Sequence, residues 1–87
     1  MYLHLGKGTV IPQSEIIAIL DLDITSQSHL TRKFLSAAEK AGQVINAAED
    51  IPKSFVLTCS KGERRVYLSQ MATATLLRRA ADMSFTA

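Results

Sequence analysis

Cysteine is almost absent from this chain. Cys59 is the single one, so no disulfide can form within the molecule. It lies on the apolar side of a predicted strand, where cysteine behaves as a small hydrophobic residue, and we expect it in the core. The two histidines, His4 and His29, have no cysteine or histidine partner at a metal-ligand spacing. The sequence therefore predicts no metal site and no cofactor.

Long apolar runs are also missing. The longest uninterrupted one, residues 16–20, is far shorter than the roughly 20 residues that cross a bilayer. Charged residues and a proline interrupt the region where a signal peptide would have its apolar stretch. We expect a cytoplasmic protein without membrane association. Its 87 residues, 47% hydrophobic and 21% charged, are typical of one globular domain over residues 1–87, small enough that self-association would add stability.

The residue constellations that enzymes use are missing as well. No nucleophile has a nearby base, and no Gly-rich phosphate loop leads into a helix. Asp21 and Asp23 lack the further ligands that a calcium or magnesium loop supplies. The triplet Gly6-Lys7-Gly8 is more typical of a hairpin turn than of a phosphate site. We conclude that the chain is not an enzyme.

What the sequence does contain is a strong β-hairpin pattern in residues 52–68. Apolar side chains alternate with their neighbours in residues 55–59 and again in residues 66–68, with the period of two that half-buried strands have. The polar stretch 60–64 separates them, and Gly62 can adopt the positive φ that a short hairpin loop needs. The sequence therefore predicts a hairpin with an apolar side and a cationic tip.

The remaining segments predict an α+β fold with the strand and helix order βββαβββα. A first hairpin has glycines at its turn. Residues 16–20 are either a strand buried on both faces or a short helix, and their isoleucines favour the strand. Residues 44–46 are a candidate edge strand. We expect a small, mainly antiparallel sheet covered on one side by two helices.

The two predicted helices have recognisable ends and apolar stripes. Ser26 or Ser28 is the predicted N-cap of the first helix, and Gly42 ends it in the left-handed conformation. Ser69 is the predicted cap of the second helix. The residues expected to face the core are Leu30, Phe34, Ala37 or Ala38, and Ala41 in the first helix, and Ala72, Leu76, Ala80 and Met83 in the second.

The cations at the predicted hairpin tip, Lys61, Arg64 and Arg65, allow two interpretations. One is a solvated loop whose charge Glu63 partly balances, and the other is a contact to phosphates, because paired arginines bind phosphate oxygens bidentately. A net charge of +2 is too small to indicate a nucleic-acid binder by itself.

Several stretches of the sequence resemble one known family. They are MYLHLG at residues 1–6, IIAILD at 16–21, PKSFVLT at 52–58 and TLLRRA at 75–80. These are similar to the extracellular matrix regulatory proteins of Gram-positive bacteria (RemA/RemB-like), and more so to their B branch, RemB. The resemblance covers nearly the whole chain and implies a fold similar to the LytTR type of DNA-binding domain.

The resemblance also implies a function. It implies a DNA-binding transcriptional regulator of biofilm matrix genes that assembles into a homo-oligomeric ring, in which repetition compensates for a small charge per subunit. The DNA-contacting arginines of the A branch align with Glu15 and Ile51-Pro52 here, so that set is not carried over. The alternative is a protein-interaction or scaffold module that has lost DNA binding. The residues expected to contact double-stranded DNA are Lys53, Lys61, Arg64 and Arg65.

Overall fold

The element order of the computed structural model, which describes residues 2–22 and 29–85, agrees with the predicted α+β class. The elements are β1 (Tyr2–Gly6), β2 (Thr9–Pro12), a 3₁₀ helix (Gln13–Glu15), β3 (Ile16–Asp21), α1 (His29–Lys40), β4 (Val44–Asn46), β5 (Ser54–Ser60), β6 (Glu63–Ser69) and α2 (Thr73–Phe85). The order βββαβββα is confirmed, and β3 is a strand rather than a helix. The predicted N-caps Ser26 and Ser28 lie outside the described residues.

A four-stranded sheet in the order β3-β5-β6-β4 forms the centre of the fold. β5 pairs antiparallel with both β3 and β6, whereas the edge strand β4 pairs parallel with β6. β1 and β2 pair with each other in a separate two-stranded sheet. The prediction of mainly antiparallel pairing is therefore confirmed, with the first hairpin as a layer of its own.

Both hairpins turn through a two-residue Lys-Gly loop. The φ angles are 50° and 71° at Lys7-Gly8 and 52° and 79° at Lys61-Gly62. Two consecutive residues with positive φ between antiparallel strands make a type I′ turn, whose twist matches that of the strands. The main loop is thus two residues long rather than five, because the pairing of β5 with β6 continues up to the turn.

Both faces of the four-stranded sheet are buried, each against different elements. Phe55-Val56 and Val66-Tyr67 are adjacent apolar residues, and adjacent strand residues point to opposite faces. Val56 and Tyr67 pack against the first hairpin and Leu76 of α2, while Phe55 and Val66 pack against α1. The expectation that both helices cover one side was wrong, because β5 and β6 have apolar residues to bury on each face.

β3 differs from its predicted environment. It is an edge strand rather than a strand buried on both faces, and Ile17 is 57% exposed. The pairing with β5 shifts between Ile16 and Ala18, which places Ile17 in a β-bulge.

Several side-chain placements differ from the prediction. Of the residues expected to face the core, Leu30 is 76% exposed and Ala41 and Ala72 are exposed too, whereas Ala38, one of the two alternatives given for α1, is buried as predicted. Cys59 is half-buried near the tip rather than in the core. Ser69 does not cap α2, since it is the last residue of β6 and α2 begins four residues later. The left-handed Gly42 after α1 is confirmed, with φ 73°.

The first hairpin is tied to the central sheet at one end. The buried Ser69 donates its Oγ hydrogen to the carbonyl oxygen of Leu5 at 2.8 Å and accepts the N–H of Met71 at 3.1 Å. Nearby, Gly6 has a φ of 122°, and a Cβ there would lie 2.8 Å from the carbonyl oxygen of Ala47. The hairpin can approach the sheet this closely because residue 6 has no side chain.

Replacing Gly6 with alanine is expected to lower the free energy of unfolding by about 2–4 kcal/mol, because the new Cβ overlaps the Ala47 carbonyl and the φ is strained. Urea denaturation measures this loss. Gly8→Asn is the matched control, since Gly8 has a positive φ in open space and asparagine tolerates the left-handed region. Equal losses in both variants would contradict the importance of the close approach.

Ser69→Ala is expected to cost about 1–3 kcal/mol of unfolding free energy, because it leaves the Leu5 carbonyl and the Met71 amide without their partner. Thermal and urea denaturation provide the measurement. Ser36→Ala, on the exposed side of α1, should change stability by no more than about 0.5 kcal/mol. A loss at Ser69 no larger than at Ser36 would show that these two hydrogen bonds contribute little.

Candidate nucleic-acid interface

The cationic tip is built around the turn between β5 and β6. Lys61 lies in the turn, Arg64 and Arg65 follow in β6, and all three are exposed. Arg64 pairs with Cys59 across the ribbon and Arg65 with Thr58. Because successive strand residues point to opposite faces, the two arginines lie on different faces. They are therefore not arranged to hold one phosphate together.

Arg65 interacts with other side chains of the same chain. Its guanidinium lies 3.6 Å from the carboxylate of Glu63. A hydrogen bond to the side chain of Tyr67, together with the negative charge of Glu63 and a smaller effect of Glu15, raises the pKa of Arg65 above its ordinary value. Arg65 is therefore fully charged at any physiological pH, and its charge is balanced by a neighbouring carboxylate.

A polar cleft of about 270 Å³ lies beside this ion pair. Its lining residues are Glu15, Thr58, Ser60, Lys61, Glu63 and Arg65. Two carboxylates and two cations line the cleft, so a phosphate group entering it would meet as much repulsion as attraction. This side of the tip is electrostatically neutral.

Lys53 lies at the opposite end of β5 from the tip. Its N–H donates to the carbonyl of Ser69 at 2.8 Å, and its carbonyl accepts the N–H of Leu22 at 3.0 Å. The steps from residue 53 to residue 61, at about 3.3 Å each, span about 26 Å. The structure thus brings Lys61, Arg64 and Arg65 to one end of the sheet and places Lys53 at the other.

The loop before Lys53 is held by a residue that the sequence analysis does not identify. The side-chain oxygen of Gln70 accepts the N–H groups of Glu49 at 2.8 Å and of Asp50 at 3.2 Å. The next residue, Ile51, is 78% exposed. Gln70 lies 20 and 21 residues from the amides it binds, so no local pattern in the sequence predicts its role.

The chemistry that the tip offers is ion pairing and hydrogen-bond donation. A guanidinium donates five N–H groups and an ammonium three, which suits phosphate oxygens. Within residues 2–22 and 29–85, no group of three or more His, Cys, Asp and Glu side chains could hold a metal ion. The helices in this part of the chain are too short or too polar to cross a membrane.

Two comparisons with known proteins identify the family. A family model for RemA-like proteins, described as extracellular matrix regulatory protein A-like, matches residues 2–80. The chain belongs to this family. The RemA-like chain is also 30% identical over 83 residues to extracellular matrix regulatory protein B of Bacillus subtilis (strain 168), and the match covers 95% of this chain and 94% of that protein. The resemblance seen in the sequence is confirmed, and the family is one of regulators rather than enzymes.

Gln70→Ala is expected to speed hydrogen exchange at the amides of Glu49 and Asp50, because both lose their acceptor in this RemA-like chain. Overall stability should fall by no more than about 1 kcal/mol, since both hydrogen bonds are exposed. Amide exchange followed by NMR measures both effects. Gln70→Glu keeps an acceptor oxygen and should keep the protection, and unchanged exchange in the alanine variant would contradict the assignment.

Proposed function

We propose that this RemA-like chain is a DNA-binding transcriptional regulator of biofilm and extracellular matrix genes, acting as a homo-oligomeric ring whose contacts are mainly to phosphates. The family supports the regulatory role. The observation that carries the DNA contact is the tip itself, where a tight type I′ turn presents Lys61 and Arg64 to solvent. A two-stranded ribbon of this kind fits a groove or the backbone beside it.

Assembly is part of the proposal because a single chain has only a small net positive charge. The chain has a net charge of +2, and at the tip the charge of Arg65 is balanced by Glu63. Linking several weak sites turns each later contact into an intramolecular one, which raises the overall affinity without any new contact. In a ring, the tips would therefore together bind DNA more tightly than the tip of a single chain could.

Residues at both ends of β5 can contact the same DNA duplex. Glu15, which aligns with one DNA-contacting position of the A branch, lines the cleft at the tip, whereas Ile51-Pro52, which align with the others, immediately precede Lys53. The separation of about 26 Å corresponds to seven or eight base-pair steps of about 3.4 Å each. We therefore keep Lys53 as a contact at the far end and Lys61 and Arg64 at the tip, and assign Arg65 a smaller share.

The second candidate function is a scaffold or protein-interaction module of the same family that has lost DNA binding. Two observations favour it. Glu15 and Glu63 neutralise one side of the tip. Ile51 is an exposed apolar side chain in a loop that Gln70 holds in place, which suits a contact with protein better than one with phosphate.

Mobility-shift titration of the purified protein over a salt series separates the two functions. For DNA binding through phosphates, we expect log K to fall linearly with log salt, with a slope of about −0.9 per phosphate contacted. Lys53→Ala and Lys61→Ala should each make the slope shallower, whereas Arg65→Ala should change it less. Light scattering of the same sample should give a mass well above the 9.5 kDa of one chain.

Two results would contradict the proposal. Absence of binding at low salt, or binding that does not change with salt, would favour the scaffold function. A monomer at micromolar concentration would rule out the ring, whatever the titration shows.

A further inference from the structure

The C-terminal end of α1 lies beside the start of β6. The carbonyl of Gln43 accepts the N–H of Val66 at 2.8 Å, and the N–H of Gln43 donates to the carbonyl of Ala38 in α1 at 2.9 Å. The parallel pairing of β4 with β6 then begins at Val44 and Val66. The last turn of α1 is therefore at the same end of the molecule as the Lys61-Gly62 turn.

Arg64 lies on the α1 side of the ribbon. It is two residues before Val66, which packs in the core against Ala38, so both β6 residues point to the face that α1 covers. Lys40 is the exposed last residue of α1, and Lys33 is exposed seven residues earlier, two turns away on the same side of the helix. Lys40 is two residues after the buried Ala38, so the two lysines point away from the sheet, and together with Arg64 they make a row of exposed cations on the α1 side of the molecule.

The charge of Arg65 is balanced by Glu63, whereas the charges of this row have no such partner in the described residues. Within the part of the chain that the structure describes, none of the three cations forms an ion pair, and the pair between Arg65 and Glu63 lies on the other face of the ribbon. Glu39 is next to Lys40 in sequence, but neighbouring residues of a helix do not face each other. The α1 side of the tip is therefore the more positive one.

We propose that Lys33, Lys40 and Arg64 bind the phosphates of one DNA strand. This inference rests on the proposed DNA binding and assigns the contacts to one face of the subunit. The two lysines are about 10 Å apart along the helix axis, a distance that spans only a few consecutive phosphates of one strand. The guanidinium of Arg64 can bind a phosphate bidentately, and the lysines act as point charges. Arg65 faces the neutral cleft and pairs with Glu63 instead.

The test is a salt-series titration of the full chain with three variants, Lys33→Ala, Lys40→Ala and Arg64→Ala. Each should make the slope of log K against log salt shallower by at least about 0.9, because each removes a phosphate contact from every subunit that touches DNA. Arg78→Ala is the matched control, since it removes the same charge from an exposed position on α2, across the sheet. Lys40→Arg retains the charge and should retain the slope.

Each outcome has a defined meaning. If Lys40→Ala and Arg78→Ala change the slope equally, the effect is one of net charge and the row is overturned, while DNA binding stands. If Lys40→Ala lowers the mass in light scattering, Lys40 is a subunit contact and the row is again overturned. If the unaltered protein shows no salt-dependent binding, the proposed function fails and the row with it. Unchanged circular dichroism shows that α1 has kept its helix in each variant.

Discussion

The structure depends on burying adjacent apolar residues of β5 and β6 on opposite faces of one sheet. Phe55, Val56 and Val66 are at most 1% exposed and Tyr67 is 8% exposed. Burial of each large apolar side chain is worth about 1.5–3 kcal/mol, so neither face can be left open to water in a domain of this size. This constraint places α1 on one face, and the first hairpin with α2 on the other.

The same alternation organises the charges at the tip. The pairing of β5 with β6 continues up to the turn, so Arg64 and Arg65 point to opposite faces of the sheet, as Val66 and Tyr67 after them do. Arg65 is on the face that contains Tyr67, Glu63 and Glu15, and Arg64 is on the face that contains the end of α1. The tip thus has a neutral side and a more positive side.

Much of the fold follows from local signals in the sequence. The period of two in residues 55–59 and 66–68, the glycine in the turn and the left-handed Gly42 each depend on nearby residues, and each was predicted correctly. The choice of strand for β3 also agrees, although its exposed position at the sheet edge does not. Whether a run of isoleucines is central or at an edge depends on which strands lie beside it, and these are distant in sequence.

The arrangement around the site was less predictable for the same reason. The bond from Ser69 to Leu5 joins residues 64 positions apart, and Gln70 reaches amides 20 and 21 positions away. No pattern along the chain reports such contacts. The separation of Lys53 from the tip was in principle readable, since a single strand joins them, whereas the approach of α1 to Arg64 required the tertiary structure.

The bulge at Ile17 has a consequence for how copies of the chain can meet. A bulged edge is a poor template for adding a strand, and the opposite edge, β4, is three residues long. The central sheet is therefore protected at both sides against the open-ended stacking that leads to fibrils. Backbone pairing between copies is therefore disfavoured at either edge, which leaves side-chain surfaces as the means by which this chain can contact another protein.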